Sequence, residues 1–131
     1  MLFRSGKKLD NSTILILGIS YKPNVKDIQI TPAEPVIQKL KTTGAKLRIY
    51  DPYFKSTSVF GMPTENSLEN GLVGADAAVL ITAHNEFRNI DPGFLLAKSN
   101  SLVFIDTRGI MDMRIAKKAG LLTRGIGRGG R

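Results

Sequence analysis

The sequence predicts an α/β domain, a three-layer sandwich on a mainly parallel sheet, and three observations carry that expectation. Short runs rich in Val, Ile and Leu recur at residues 13–18, 46–50, 77–82 and 102–106. Apolar residues at helical spacing fill the intervals, and glycine, proline or aspartate punctuates the junctions. Strands alternating with helices at this distance are joined by crossovers, which makes neighbouring strands parallel and covers both faces of the sheet. At 131 residues and 42% hydrophobic content the chain suits one domain with a sizeable core.

The first strand, Thr13-Ile-Leu-Ile-Leu-Gly18, stops at a glycine and enters a loop through Tyr21, Lys22, Pro23 and Asn24. A fully signalled helix start follows. Thr31 is placed to cap it, Pro32 to occupy the first helical position where its missing N–H costs nothing, and Glu34 to close a capping box. Ala33, Val36, Ile37 and Leu40 make its apolar face, and Gly44 is the expected C-cap. Lys46-Leu-Arg-Ile-Tyr50 is the second strand and ends at Asp51-Pro52; a short helical segment is expected at residues 67–72. Ala77-Ala-Val-Leu-Ile-Thr82 is continuously apolar, the mark of a strand buried on both faces. A turn of helix follows His84, and Asp91-Pro92 opens a helix carrying Phe94, Leu95 and Leu96. After the fourth strand, Leu102-Val-Phe-Ile-Asp106, Asp112 caps a helix with Ile115, Ala116 and Ala119 inward and Gly120 at its end; residues 121–126 make a short last strand. The expected architecture is Rossmann-like. Residues 1–11 read as a linker or N-terminal extension, and residues 12–131 as the domain, closing in a basic Gly-Arg tail at 125–131.

Composition removes several classes of function. The chain has no cysteine, so disulfides, thiolate zinc sites and a cysteine nucleophile are excluded within it. The longest apolar run is far too short to cross a bilayer, and the N-terminus lacks the sustained apolar stretch of a signal peptide, so a cytoplasmic protein with no membrane partner is expected. Net charge is +8, which suits an anionic ligand or nucleic acid. Nucleic acid is the minor alternative: aromatics are only 7%, and no recognisable RNA- or DNA-binding module is present.

In an open parallel sheet the ligand crevice lies beyond the carboxyl ends of the strands. Tyr21 and Lys22 fall there after the first strand, Asp51 after the second, Thr82 and His84 after the third, and Asp106, Thr107 and Arg108 after the fourth. Lys22 and Arg108 beside the helix start at Thr31 make a diphosphate or nucleotide site, with Arg suited to a planar two-point contact. Asp51 and Asp106 read as turn and capping groups. His84, the only histidine, has neither cysteine nor a second histidine beside it; it reads as structural, and no metal site is expected.

Several motifs together carry a resemblance over residues 8–129. Leu17-Gly-Ile-Ser-Tyr-Lys-Pro-Asn24, Asp27, Thr31-Pro-Ala33, Ile49-Tyr-Asp-Pro-Tyr53, Ala75-Asp-Ala77, Thr82-Ala-His-Asn-Glu-Phe87, Ile105-Asp-Thr-Arg-Gly109 and Gly125-Ile-Gly-Arg-Gly129 resemble, in order and spacing, the C-terminal nucleotide-sugar-binding domain of the UDP-glucose/GDP-mannose dehydrogenase family. The resemblance implies an NAD-dependent oxidoreductase that converts the C6 hydroxymethyl of a nucleotide-linked sugar to a carboxylate. It also implies partner domains: an N-terminal NAD-binding domain, and a central segment that supplies a cysteine nucleophile and dimerises. By motif match Lys22 would contact the UDP-sugar with Tyr21 packing alongside, and Arg108 would be the second substrate-binding cation. Asp106-Thr-Arg-Gly109 resembles the N-acetylhexosamine branch slightly more than the glucose branch, without naming the sugar.

The departure from the family pattern lies at Gln29 and Ile30, where Arg and Glu are common. The chain also lacks a cysteine and a Gly-x-Gly-x-x-Gly fingerprint between an early strand and helix; Gly125-Ile-Gly-Arg-Gly-Gly130 has no helix after it. No catalytic residue and no bound NAD are therefore expected in this chain, which is predicted inactive alone. Besides a domain of a longer dehydrogenase, a free-standing nucleotide-sugar-binding or regulatory module is the alternative.

Overall fold

The computed structural model describes residues 12–99 and 102–125. Its sheet is built from β1 (Thr13–Leu17), β2 (Lys46–Tyr50), β5 (Ala77–Leu80), β6 (Val103–Asp106) and β7 (Leu122–Gly125), in the order β2-β1-β5-β6-β7. Every pairing in it is parallel; β1 runs in register with β2 from Thr13 opposite Lys46 to Leu17 opposite Tyr50, and with β5 from Ile14 opposite Ala77. The α/β expectation holds, with each strand at or inside its predicted run.

The two faces divide the core by the alternation of strand side chains. Ile14 and Ile16 of β1 join Ile49, Val79 and Val103 on one face, covered by α1 (Ala33–Lys41) through Ala33 and Ile37. Leu15 and Leu17 point the other way, where α2 (Leu68–Leu72), α3 (Asn85–Arg88), α4 (Pro92–Lys98) and α5 (Met113–Ala119) contribute Leu72, Phe87, Leu95 and Ala116. All four residues of β5 are buried, as its unbroken apolar run requires.

Three local expectations change. The α1 helix starts at Ala33, so Pro32 stands just before it; Thr31 still caps, its Oγ1 accepting the Ala33 N–H at 3.2 Å. Its end is closed at Thr42, and Gly44, at φ +82°, turns the chain away two residues later. On α5 only Ala116 is buried, whereas Ile115 is 55% exposed and Ala119 is exposed. A seven-residue helix packed on the sheet through one position needs no wider apolar stripe. The sequence reading also has no counterpart for the antiparallel hairpin of β3 (Ser58–Val59) and β4 (Met62–Pro63), turned by Phe60 and Gly61, both at positive φ. The predicted extension at residues 1–11, the tail at 126–131 and the end of the last strand at Ile126 lie outside the described residues.

Candidate functional site

The chain leaves β1 towards β2 on one side, while β5, β6 and β7 extend the sheet on the other. The carboxyl ends of β1 and β5 therefore form the topological switch point where open α/β sheets hold their ligands. Close packing shapes this junction: Gly18 lies at φ +85°, and a Cβ there would sit 2.5 Å from the Thr82 carbonyl oxygen and 2.7 Å from the Thr82 Cβ. Only glycine lets the end of β1 pass so near the end of β5.

Beyond Gly18 the loop is fastened at several points. Thr82 Oγ1 and Thr31 Oγ1 both donate to the Ser20 carbonyl, at 2.8 and 3.2 Å. The Tyr21 N–H donates to the Asp27 carbonyl, and Asn24, at φ +66°, accepts the Asn85 N–H on its Oδ1 at 2.8 Å. On the β6 side, Asp106 folds the following turn around its own carboxylate: Oδ1 accepts the N–H groups of Arg108 and Gly109, and Oδ2 that of Met111. Arg108 Nε donates to the Ile81 carbonyl at 2.8 Å, laying the guanidinium across the end of β5. Asp106 is thus the turn group its position predicts.

These loops bring Tyr21, Lys22 and Arg108 into one cleft of about 350 Å³, with Pro23, Thr82, Ala83 and Arg88. The three residues predicted from sequence converge. Arg88, the last residue of α3, is the cation that the sequence reading missed. The only signal for it was its place four residues after His84, where an exposed arginine on a short helix looks like any solvated charge. Three cations face the cleft and, among the described residues, no carboxylate lines it, so an anion there relieves their mutual repulsion. Arg108 also borders a second, apolar recess of about 270 Å³ lined by Pro32, Val36, Val79, Ile81 and Thr107.

The N-terminus of α1, expected to offer donors to an anion, does not line the cationic cleft. Its first N–H groups are used internally, that of Ala33 on Thr31 Oγ1 and that of Glu34 on the Thr31 carbonyl. At the departure from the family pattern, the Gln29 N–H donates to Asp27 Oδ1, and Ile30 is 91% exposed at φ +54°.

Beneath the loop lies a buried polar group that no local sequence pattern announces. Asp51, fully buried, accepts the Ile19 N–H on Oδ2 and the Tyr53 N–H on Oδ1, each at 2.8 Å. Its Oδ2 is also 2.9 Å from Nε2 of His84, likewise buried, with Ser20 Oγ beside both. Burial pushes the Asp51 carboxyl upward, but hydrogen bonds from His84, Ile19 and Tyr53 outweigh it and hold the group below its ordinary value. Asp51 is a turn group, as predicted, and also the tie between the ends of β1, β2 and β5. Among the described residues no cluster of histidines and carboxylates has the make-up of a metal site.

An open parallel sheet with clustered cations at its switch point defines an anion-binding α/β domain of the nucleotide-binding kind. Similarity to known proteins makes the class specific. The chain belongs to the UDP-glucose/GDP-mannose dehydrogenase family, whose UDP-binding domain matches residues 15–113. It is 32% identical over 125 residues to the UDP-N-acetyl-D-mannosamine dehydrogenase of Methanocaldococcus jannaschii, covering 93% of this chain and 28% of that protein. It is also 32% identical over 127 residues to the UDP-glucose 6-dehydrogenase of Rhizobium meliloti, covering 95% of this chain and 29% of that one. Among solved structures, a UDP-D-ManNAc dehydrogenase from Pyrococcus horikoshii superposes with a TM-score of 0.84 at 30% identity, over 98% of this chain and 28% of that one. The chain spans little more than a quarter of the length of these relatives.

Proposed function

We propose that this chain is the UDP-sugar-binding, C-terminal domain of an NAD-dependent nucleotide-sugar 6-dehydrogenase, and that Lys22, Arg88 and Arg108 hold the diphosphate while Tyr21 packs alongside. The observation that carries this reading is the convergence of three cations, from the loops after β1 and β6 and from the end of α3, on one cleft at the switch point. A diphosphate offers several anionic oxygens to such a set, and the two guanidiniums can each contact it at two points. The match to the family's UDP-binding domain supports reading the diphosphate as that of UDP, and relatives named as UDP-N-acetyl-D-mannosamine and UDP-glucose dehydrogenases favour a sugar of one of those types.

NAD does not fit this domain's own β1 to α1 connection. A dinucleotide site there needs a tight glycine turn leading straight to a helix N-terminus. Here β1 ends at Leu17 and α1 begins at Ala33, with the pinned Tyr21 and Lys22 loop between them, and the first donors of α1 are already used. NAD binding, the nucleophile and dimerisation accordingly belong to other domains of a parent enzyme, which oxidises the sugar C6 hydroxyl to a carboxylate in the cytoplasm. The part played by this chain is to bind and orient the UDP-sugar. Among the described residues no helix is long and apolar enough to cross a membrane.

Calorimetric titration with UDP, UDP-glucose, UDP-N-acetylmannosamine and inorganic pyrophosphate tests the reading. UDP and the UDP-sugars are expected to bind more tightly than pyrophosphate, with only a moderate loss on raising salt. Binding that tracks phosphate count alone, or a slope against salt as steep as that of a nucleic-acid-binding protein, would contradict it.

A further inference from the structure

We propose that His84 is a positioning residue for this site: acting through Asn24, it holds the loop that carries Tyr21 and Lys22 over the cleft. The inference rests on the reading of Lys22 as a diphosphate contact. Lys22 stands between two anchors. Upstream, Ser20 is fixed by Thr31 and Thr82, and the Ile19 N–H by Asp51. Downstream, Pro23 has no N–H to give, so the next backbone donor is Asn24, and it donates to His84 Nδ1 at 2.8 Å. Asn24 is an exposed residue, whereas the acceptor of its N–H, His84, is fully buried. The bond therefore ties a surface loop to a fixed point in the core.

The imidazole is built to apply that restraint. Because Nδ1 accepts from a backbone N–H, the proton of the neutral ring sits on Nε2, which donates to Asp51 Oδ2 at 2.9 Å. Tyr53 meets the ring edge-on, with centroids 4.8 Å apart, and Phe87 packs at 5.9 Å, so the ring is held by packing as well as by both nitrogens. One end of the histidine reads the carboxylate at the end of β2, and the other reads the substrate loop, 60 residues away in sequence. Asn85, next in the chain, closes the pair by donating its own N–H to Asn24 Oδ1. A loop ordered in advance loses less freedom when its lysine meets the ligand, and that difference enters the affinity directly.

Two substitutions separate positioning from packing. In His84→Gln the amide lies where Nε2 was and still donates to Asp51, but the acceptor for Asn24 is gone. In His84→Asn the amide oxygen lies where Nδ1 was and still accepts from Asn24, but Asp51 loses its donor. Amide hydrogen exchange at Asn24, without ligand, is expected to speed up about tenfold or more in His84→Gln and to stay slower in His84→Asn. The UDP dissociation constant should be about fivefold or more higher for His84→Gln than for His84→Asn, although His84→Asn is the less stable of the two to urea. Affinity that simply follows stability across the two variants, or an Asn24 amide that exchanges freely in the unaltered chain, overturns the proposal. If the unaltered chain fails to bind UDP, the proposed function fails instead, and the clamp is then decided by the exchange result alone.

Discussion

Gly18 and Asp51 fix the loop that borders the cleft, whereas Ile30 costs stability without touching it. At Gly18 any side chain meets the backbone of Thr82 and must also adopt a left-handed conformation, so Gly18→Ala is expected to destabilise by about 2 kcal/mol or more in urea denaturation. At Asp51 the sign of the pH effect follows from its depressed folded-state pKa. Its contribution to stability is fully present above the ordinary value of 3.8 and is lost as pH falls through the folded-state value. Chemical denaturation from pH 6 down to pH 3 should therefore show a loss of stability at the acid end that is smaller in Asp51→Asn, a variant less stable than the parent at pH 6. Ile30 is the opposite case, a β-branched residue at φ +54° with 91% exposure, whose conformation costs about 1–2 kcal/mol and whose side chain gains almost no burial in return. Ile30→Asn is expected to raise stability by up to about 1 kcal/mol in the same assay. Sequence reading located Lys22 and Arg108 because each closes a recognisable strand end. It passed over Arg88, and it could not join His84 to Asp51, because the pairing spans 33 residues and exists only once β2 and β5 flank β1.

At the level of elements, legibility follows how strongly local chemistry agrees with the tertiary setting. The inner strands β1 and β5 were readable because burial on both faces demands nearly unbroken apolar runs, the edge strands β2 and β7 only from their place in the alternation, and α4 because Asp91 accepts the Gly93 N–H ahead of Pro92. The α5 helix was readable from its ends. Asp112 accepts the N–H groups of Arg114 and Ile115, and Gly120 closes the helix at φ +87°. Its inward face was not, since two of the three residues assigned to it face solvent. Because α5 has only Ala116 buried, its cap matters more than its packing: Asp112→Ala should cost about 1 kcal/mol in thermal or urea unfolding, with little change for Ile115→Ala. The hairpin of β3 and β4 escaped notice because two-residue strands carry no period, and its turn depends on Phe60 adopting a positive φ that its side chain does not advertise.

For the whole molecule, topology does the gathering. Lys22, Arg88 and Arg108 come from two separate loops and the end of α3, and share a cleft only because strand order reverses between β1 and β5. All three residues are exposed, so losing Lys22 or Arg88 is expected to change stability by under about 0.5 kcal/mol; Arg108→Ala also loses the Nε bond to the Ile81 carbonyl, so its stability to urea is measured beside its affinity. Losing one charge-assisted contact costs about 1.5–3 kcal/mol, or roughly tenfold or more in affinity. The most direct measurement is UDP affinity at low salt, by ligand-observed NMR, for Lys22→Ala, Arg88→Ala and Arg108→Ala beside Lys118→Ala, an exposed lysine in the last turn of α5. A weakening of about tenfold or more confined to the three cleft variants is the predicted result. Equal weakening in all four would mean that diffuse positive charge, and not a defined site at the switch point, holds the nucleotide.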